Sequence, residues 1–170
     1  MRKRDGLWIA GGVFLLDRIS KILSFRLPPE GLTLIPGVIR LRLTRNDGAA
    51  FSLLRGAPWL LGVISLVILL AAAWLLRKKR FSPLLTTGIM LMAGGAAGNM
   101  ADRFFTGFVP DMVEPLFVSF AVFNLADAAL TVGCALVIGS LLFGRPEEKP
   151  REPEKKPREP EGIGNDGKKD

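Results

Sequence analysis

Four stretches of this sequence are apolar for about the length a helix needs to cross the hydrocarbon of a bilayer, ~20 residues. They fall at residues 7–23, 58–76, 84–101 and 123–143. Hydrocarbon offers no partner to a free N–H or C=O, so such stretches cross it only as helices that satisfy their own backbone. The expectation is therefore an all-α membrane protein, a four-transmembrane-helix bundle occupying residues 1–144. The second stretch is the clearest. Trp59 and Trp74 bracket it, about 22 Å apart at the helical rise, as aromatic anchors at two interfaces would be.

Charge orients the bundle. Residues 145–170 carry 8 basic and 8 acidic residues, so the whole net charge of +7 belongs to residues 1–144. Its clusters are Arg2-Lys3-Arg4 and Arg77-Lys78-Lys79-Arg80, each flanking an apolar stretch. That pattern reflects topology and lipid headgroups rather than nucleic acid, and it puts both clusters in the cytoplasm. Both termini are then expected inside, with residues 24–57 and 104–122 facing outward. The start resembles a signal peptide, but no small-residue cleavage site follows and Asp17-Arg18 interrupts the apolar run, so it reads as a retained first span. Residues 145–170 repeat Lys-Pro-Arg-Glu-Pro-Glu with nothing apolar to bury, which predicts a disordered, charged cytoplasmic tail.

One outer segment has the pattern of a strand. Residues 39–45 alternate apolar and polar positions after a Pro36-Gly37 turn, so a small extracytoplasmic β-element is expected on the bundle. Arg40, Arg42 and Arg45 alternate along it. They form either a solvated strand face or a row near lipid phosphates.

With that orientation, the polar residues gather at one membrane edge. Asp17 and Lys21 lie near the outer end of the first span, and Asn46 and Gly48 in the first outer loop. Gly94-Gly95-Ala96-Ala97-Gly98-Asn99-Met100-Ala101-Asp102-Arg103 closes the third span. Asp111 and Glu114 lie in the second outer loop, and Phe123-Asn124-Leu125-Ala126-Asp127 opens the fourth span. Charged groups beside hydrocarbon are costly and mark function by default. The pairs Asn99/Asp102, Asn124/Asp127 and Asp17/Lys21 are spaced to share helical faces. Simpler roles compete: Gly94 and Gly98 suit close helix packing, Asn124 suits a helix cap, Asn46-Asp47-Gly48 suits a turn, and Asp17–Lys21 and Asp102–Arg103 suit structural ion pairs.

The sequence contains no histidine, which removes Ser-His-Asp catalysis and HExxH zinc sites. The lone Cys134 lies mid-span as a packing residue. Two aspartates can hydrolyse a peptide without a metal: close carboxylates cannot both ionise, so one activates water while the other donates a proton. Asp111 with Asp127 is the preferred pair, because Arg103 beside Asp102 suits a structural ion pair better. Asp102 with Asp127 is the alternative, and the residues alone separate the two weakly. A proton-conducting or transport bundle would spread ionisable groups through the membrane depth, whereas these stop at one edge. A Ser-Lys hydrolase built on Lys21 would need a serine other than Ser20, such as Ser52.

In the order Asp17…Lys21, 46–52, 94–103, Val109-Pro110-Asp111-Met112 and 123–127, these residues resemble the lipoprotein signal peptidases, the bacterial signal peptidase II family. The resemblance is collinear over most of residues 10–140. It implies an intramembrane aspartic endopeptidase of the bacterial inner membrane that cuts prolipoproteins just before a diacylglyceryl-modified cysteine. It assigns catalysis to Asp111 and Asp127, and a supporting site to Asn46, Asn99, Arg103 and Asn124. It implies no metal or organic cofactor and no nucleic acid. Its partners are the prolipoprotein and membrane phospholipids, and a monomer is expected. Arg18 stands where the family usually has glutamine, and Pro110 where a β-branched aliphatic is usual.

Overall fold

The computed structural model describes residues 3–48, 56–78 and 81–143. The chain runs α1 (Lys3–Ser24), β1 (Leu32–Ile35), β2 (Ile39–Asn46), α2 (Pro58–Lys78), α3 (Pro83–Phe105), β3 (Val109–Pro115) and α4 (Leu125–Phe143). Arg2 of the first basic cluster, residues 49–52 with Ser52, Lys79 and Arg80 of the second basic cluster, and residues 145–170 lie outside the described residues.

Helix α3 is the centre of the bundle, with α1, α2 and α4 packed around it. Its glycines make this possible, and they serve two faces. A Cβ at Gly94 would sit 2.6 Å from the Ala10 carbonyl of α1. One at Gly95 would sit 2.5 Å from the Ala126 carbonyl of α4, and one at Gly88 2.8 Å from that of Gly133. Backbones this close need residues without side chains. On the third side, the Phe104 ring rests where a Cβ on Gly62 of α2 would be, at 3.0 Å. Ser82 caps α3 through the Leu85 N–H at 3.2 Å, and its hydroxyl meets that of Ser140 on α4 at 3.1 Å.

Large apolar side chains cover the outside. Trp59, Val67, Leu70 and Trp74 of α2 and Ile138, Leu141 and Leu142 of α4 are all exposed. Continuous apolar surface of this kind marks a membrane or partner face. Helices α2, α3 and α4 are long and apolar enough to span a bilayer. Helix α1 has 22 residues but falls short on composition, because Asp17, Arg18 and Lys21 occupy its last third.

A three-stranded antiparallel sheet in the order β1-β2-β3 caps the end of the bundle where α1 and α3 finish and α4 begins. The Pro36-Gly37 turn forms as its sequence dictates, with Gly37 at φ +71°. Two boundaries differ from the sequence reading. Residues 109–115 are a strand, not a loop, and Asp111 pairs with Thr44 of β2. Pro110 is admissible there because β3 is the last strand of the sheet. The fourth helix starts at Leu125 rather than 123, because Phe123 bridges to Val113 and Asn124 serves as the cap.

Candidate active site

The polar residues meet where the sheet sits on the ends of α1, α3 and α4. They form two connected layers.

The first layer is an ion cluster. Asp17, Lys21 and Asp102 are no more than 2% exposed. Lys21 Nζ lies 2.8 Å from Asp17 Oδ2 and 2.7 Å from Asp102 Oδ2. Arg18 grips both Asp102 oxygens at 2.5 and 2.7 Å and donates to Asp17 at 3.0 Å and to the Gly98 carbonyl at 3.2 Å. Two carboxylates and two cations cancel, as a buried cluster requires. Gly98 makes the space, because a Cβ there would collide with the Asp17 carboxylate. Asp17 Oδ1 also accepts the Ala126 N–H at 3.1 Å and so ties α1 to the first turn of α4.

The Asp17–Lys21 pair thus forms as expected, but the expected Asp102–Arg103 pair does not. Adjacent helical residues do not face each other. Asp102 turns toward α1, while Arg103 turns toward the sheet and donates to the carbonyls of Asn99 and Gly48 at 3.3 Å each. Arg18 is the residue the sequence reading undervalued. Its position, one after Asp17 and three before Lys21, was the available signal.

The second layer holds Asp111 and Asp127. Asn124 and Asp127 do not share a helical face, as their spacing suggested. They form a reciprocal cap at the start of α4. Asn124 Oδ1 accepts the Asp127 N–H at 3.0 Å, and Asp127 Oδ2 accepts the Asn124 N–H at 3.2 Å. The capping role read for Asn124 is therefore real, and its amide does more. Asn124 Nδ2 donates to Asp111 Oδ1 at 2.6 Å. Asn46 Nδ2 donates to the other Asp111 oxygen at 3.0 Å. Asn46 also forms the turn read at 46–48, its Oδ1 accepting the Gly48 N–H at 3.0 Å. Asn99 Nδ2 donates to Asp127 Oδ1 at 2.8 Å, while Asn99 Oδ1 accepts from Lys21 at 2.7 Å and so joins the two layers.

Asp111, Asp127, Asn46 and Arg103 line one cavity of about 650 Å³, walled by Phe120, Phe123 and Leu130. Asp102 is not among its lining residues, and its oxygens are already engaged by Arg18 and Lys21. Asp111 is 2% exposed. Burial, and then the Asp127 charge, push its carboxyl up to about 6, against the two asparagine donors that favour its ionised form. Among the described residues, no group of three or more Asp, Glu, Cys or His side chains is placed to hold a metal ion.

A family model described as signal peptidase (SPase) II matches residues 9–143. The chain belongs to the signal peptidase II family. It is 41% identical over 140 residues to the lipoprotein signal peptidase of Syntrophomonas wolfei, covering 81% of this chain and 93% of that one. With the lipoprotein signal peptidase of Geobacillus kaustophilus it shares 37% over 150 residues, covering 85% and 97%. Among solved structures it is similar to a bacterial membrane enzyme determined by the in meso method at 2.3 Å. That match has a TM-score of 0.77 and 30% identity, with 88% of this chain and 94% of that chain covered. The protein is thus a membrane protease of the signal peptidase II family, concerned with lipoprotein processing.

Proposed function

We propose that this chain is an intramembrane aspartic endopeptidase that removes signal peptides from diacylglyceryl-modified prolipoproteins, cutting before the lipidated cysteine. The observation that carries the reading is the pairing of Asp111, on the sheet, with Asp127, on the first turn of α4, across one cavity of about 650 Å³. Each aspartate is held by asparagine amides, and among the described residues neither is paired with a cation by a salt bridge.

In this mechanism the dyad carries one proton. Asp111, whose carboxyl sits at about 6, holds it. Asp127 takes a proton from a bound water as that water attacks the scissile carbonyl carbon. Asp111 gives its proton to the carbonyl oxygen, forming a tetrahedral diol. When the C–N bond breaks, Asp127 returns its proton to the amine of the lipidated cysteine and Asp111 recovers one from the diol. Arg103 lines the cavity, and its guanidinium is the cation that would hold a substrate carbonyl. No metal or organic cofactor takes part.

The membrane arrangement follows from residues 1–144 acting as one unit with α1 as a fourth span. Asp17, Arg18 and Lys21 of α1 are turned toward α3, while Leu7, Leu15, Leu16, Ile19 and Ile22 are 45–64% exposed on its outer side, where lipid would meet them. The basic clusters at the start of α1 and the end of α2 support a cytoplasmic position for that end of the bundle. The sheet and the cavity then face the extracytoplasmic side of the bacterial inner membrane, and both termini are inside. The signal helix enters sideways between spans, so its lipid chains stay in the bilayer. The enzyme acts as a monomer.

The test is a reconstituted digestion. Purified protein in liposomes is given a prolipoprotein with and without the diacylglyceryl group. The reading expects cleavage of the modified precursor alone, with the lipidated cysteine as the new N-terminus. Cleavage at another bond, or no cleavage by folded protein, contradicts it.

A further inference from the structure

Three asparagine amides face the proposed dyad, and each is held the same way round. An amide presents its NH₂ to a carboxylate only while its oxygen points away. A fixed donor on that oxygen enforces this, because a flipped amide would set NH₂ against N–H. For Asn46 the fixed donor is the Gly48 N–H, and for Asn124 it is the Asp127 N–H, both at 3.0 Å. These are backbone groups. For Asn99 it is a side chain from another helix, Lys21 Nζ at 2.7 Å. Asn124 Nδ2 also reaches Asn99 Oδ1, but at 3.3 Å, while its short bond of 2.6 Å goes to Asp111.

Lys21 balances the charge of the cluster, and it does more than that. Arg18 already binds both oxygens of Asp102 and one of Asp17. An ammonium has three donors and no acceptor, and here it makes three close contacts, an ion pair with Asp17 and hydrogen bonds to Asp102 and Asn99. The third of these does nothing for the charge balance. It fixes an amide.

We infer that Lys21 is a positioning residue for Asp127: its ammonium locks the Asn99 amide so that the NH₂, and not the oxygen, is presented to the carboxylate. This rests on the reading of Asp127 as half of the dyad. With Lys21 removed, the Asn99 oxygen turns toward Asp127 for part of the time. Two oxygens then face each other unless Asp127 holds a proton, and a protonated Asp127 cannot activate water.

The charged groups around Asn99 and Asp127 are Asp17 and Arg18 on α1, Asp102 and Arg103 on α3, and Asp111 on β3. Removing Lys21 alone would therefore also change the local charge. Lys21→Met with Asp102→Asn removes one charge of each sign and leaves the balance as it was. Asp102→Asn alone keeps the Lys21–Asn99 bond and serves as the comparison.

The chain has four asparagines, Asn46, Asn99, Asn124 and Asn165, so ¹⁵N-asparagine labelling of the full chain in micelles gives four side-chain NH₂ pairs in wild type and a fifth, from position 102, in each variant carrying Asp102→Asn; the Asn99 pair is assigned by its loss in Asn99→Asp. Folding is checked by cooperative thermal unfolding. In the double variant the Asn99 pair is expected to leave its wild-type position, and kcat on the lipidated precursor to fall roughly 10²-fold. KM stays within about twofold, as for a change in positioning rather than binding, and the alkaline limb of kcat moves up. Asp102→Asn alone keeps the Asn99 signals and loses much less kcat. Unmoved Asn99 signals in the folded double variant, or equal kcat losses in the two variants, overturn the inference. Should the methionine variant not fold, Lys21→Gln with Asp102→Asn decides. Its amide retains a donor toward Asn99, so Asn99 signals close to wild type are expected, and displaced signals there overturn the inference. The amide spectrum reads the orientation whether or not the precursor is cleaved. A wild type that fails to cleave therefore contradicts the proposed function and leaves the spectrum to decide this inference.

Discussion

The molecule contains two clusters of arginine, lysine and carboxylate, and their difference lies in where they sit. Asp17, Arg18, Lys21 and Asp102 join α1 to α3, with side chains 0%, 26%, 2% and 3% exposed. Arg40, Arg42 and Glu114 join β2 to β3 at similar distances, 2.7 and 3.0 Å, with side chains 34%, 43% and 16% exposed. In the sheet, Arg40 holds the Glu114 carboxyl below its usual range, and Arg42 helps. Water can replace any of those contacts. In the bundle it cannot reach Asp17, Lys21 or Asp102, and these three depend on one another and on Arg18 for their solvation. Ion pairs of the same length therefore carry different obligations, and the buried set also leads, through Asn99, to the proposed dyad.

The largest effects are expected at the dyad itself. Asp127→Asn and Asp111→Asn should each lower cleavage roughly 10²–10⁴-fold, the usual weight of a proton-transferring group, while thermal unfolding stays cooperative. A variant that keeps near wild-type turnover would remove its aspartate from the chemistry.

Next comes the buried cluster. Asp17→Ala leaves Lys21 and Arg18 short of a carboxylate and the Ala126 N–H without its acceptor. A loss of about 3–5 kcal/mol is expected for breaking such a pair from one side. Gly98→Ala pushes a methyl group against the Asp17 carboxylate and should cost about 1–3 kcal/mol, as overpacking does. Chemical denaturation in micelles measures both. Stabilities equal to wild type would mean that this cluster is as replaceable as the one on the sheet.

The pH profile is expected to shift without a large loss of activity. With Asp111 at about 6, the singly protonated dyad disappears as pH rises, so kcat/KM falls above about 6. This is an apparent value of the pair. Asn46→Ala removes a hydrogen bond that favours the ionised form and moves that limb to higher pH. A limb that moves to lower pH would contradict the geometry at Asp111.

The smallest effect is expected on the sheet. Glu114→Gln removes the charge that Arg40 and Arg42 share, yet both arginines remain in water. Cleavage and the unfolding midpoint should change little. A large change would mean that the exposed cluster has a role the comparison denies it.

How far the sequence foretold this arrangement depends on the kind of question. Helix content, the central glycines and the gathering of Asp17, Lys21, Asn99, Asp102, Asn124 and Asp127 at one end were legible, because apolar length and helical spacing are local properties. Partners across helices were not. Asp102 precedes Arg103 in the chain, yet the helix turns them to different neighbours, and only the packing of α1 on α3 brings Arg18 to Asp102. Strand β3 was hidden because Val109, Pro110, Asp111 and Met112 are all buried, which erases the alternation that marks a strand. The partner of Arg40 and Arg42 needed the register between β2 and β3, which sets Arg40 opposite Glu114.

The most direct test is a single cleavage series on a diacylglyceryl-modified prolipoprotein, using purified wild type, Asp102→Asn, Asp111→Asn and Asp127→Asn, each shown to be folded. The account predicts cleavage before the lipidated cysteine by wild type, partial activity in Asp102→Asn, and loss in the other two. Loss in Asp102→Asn and Asp127→Asn with Asp111→Asn active would contradict it and move the dyad onto α3.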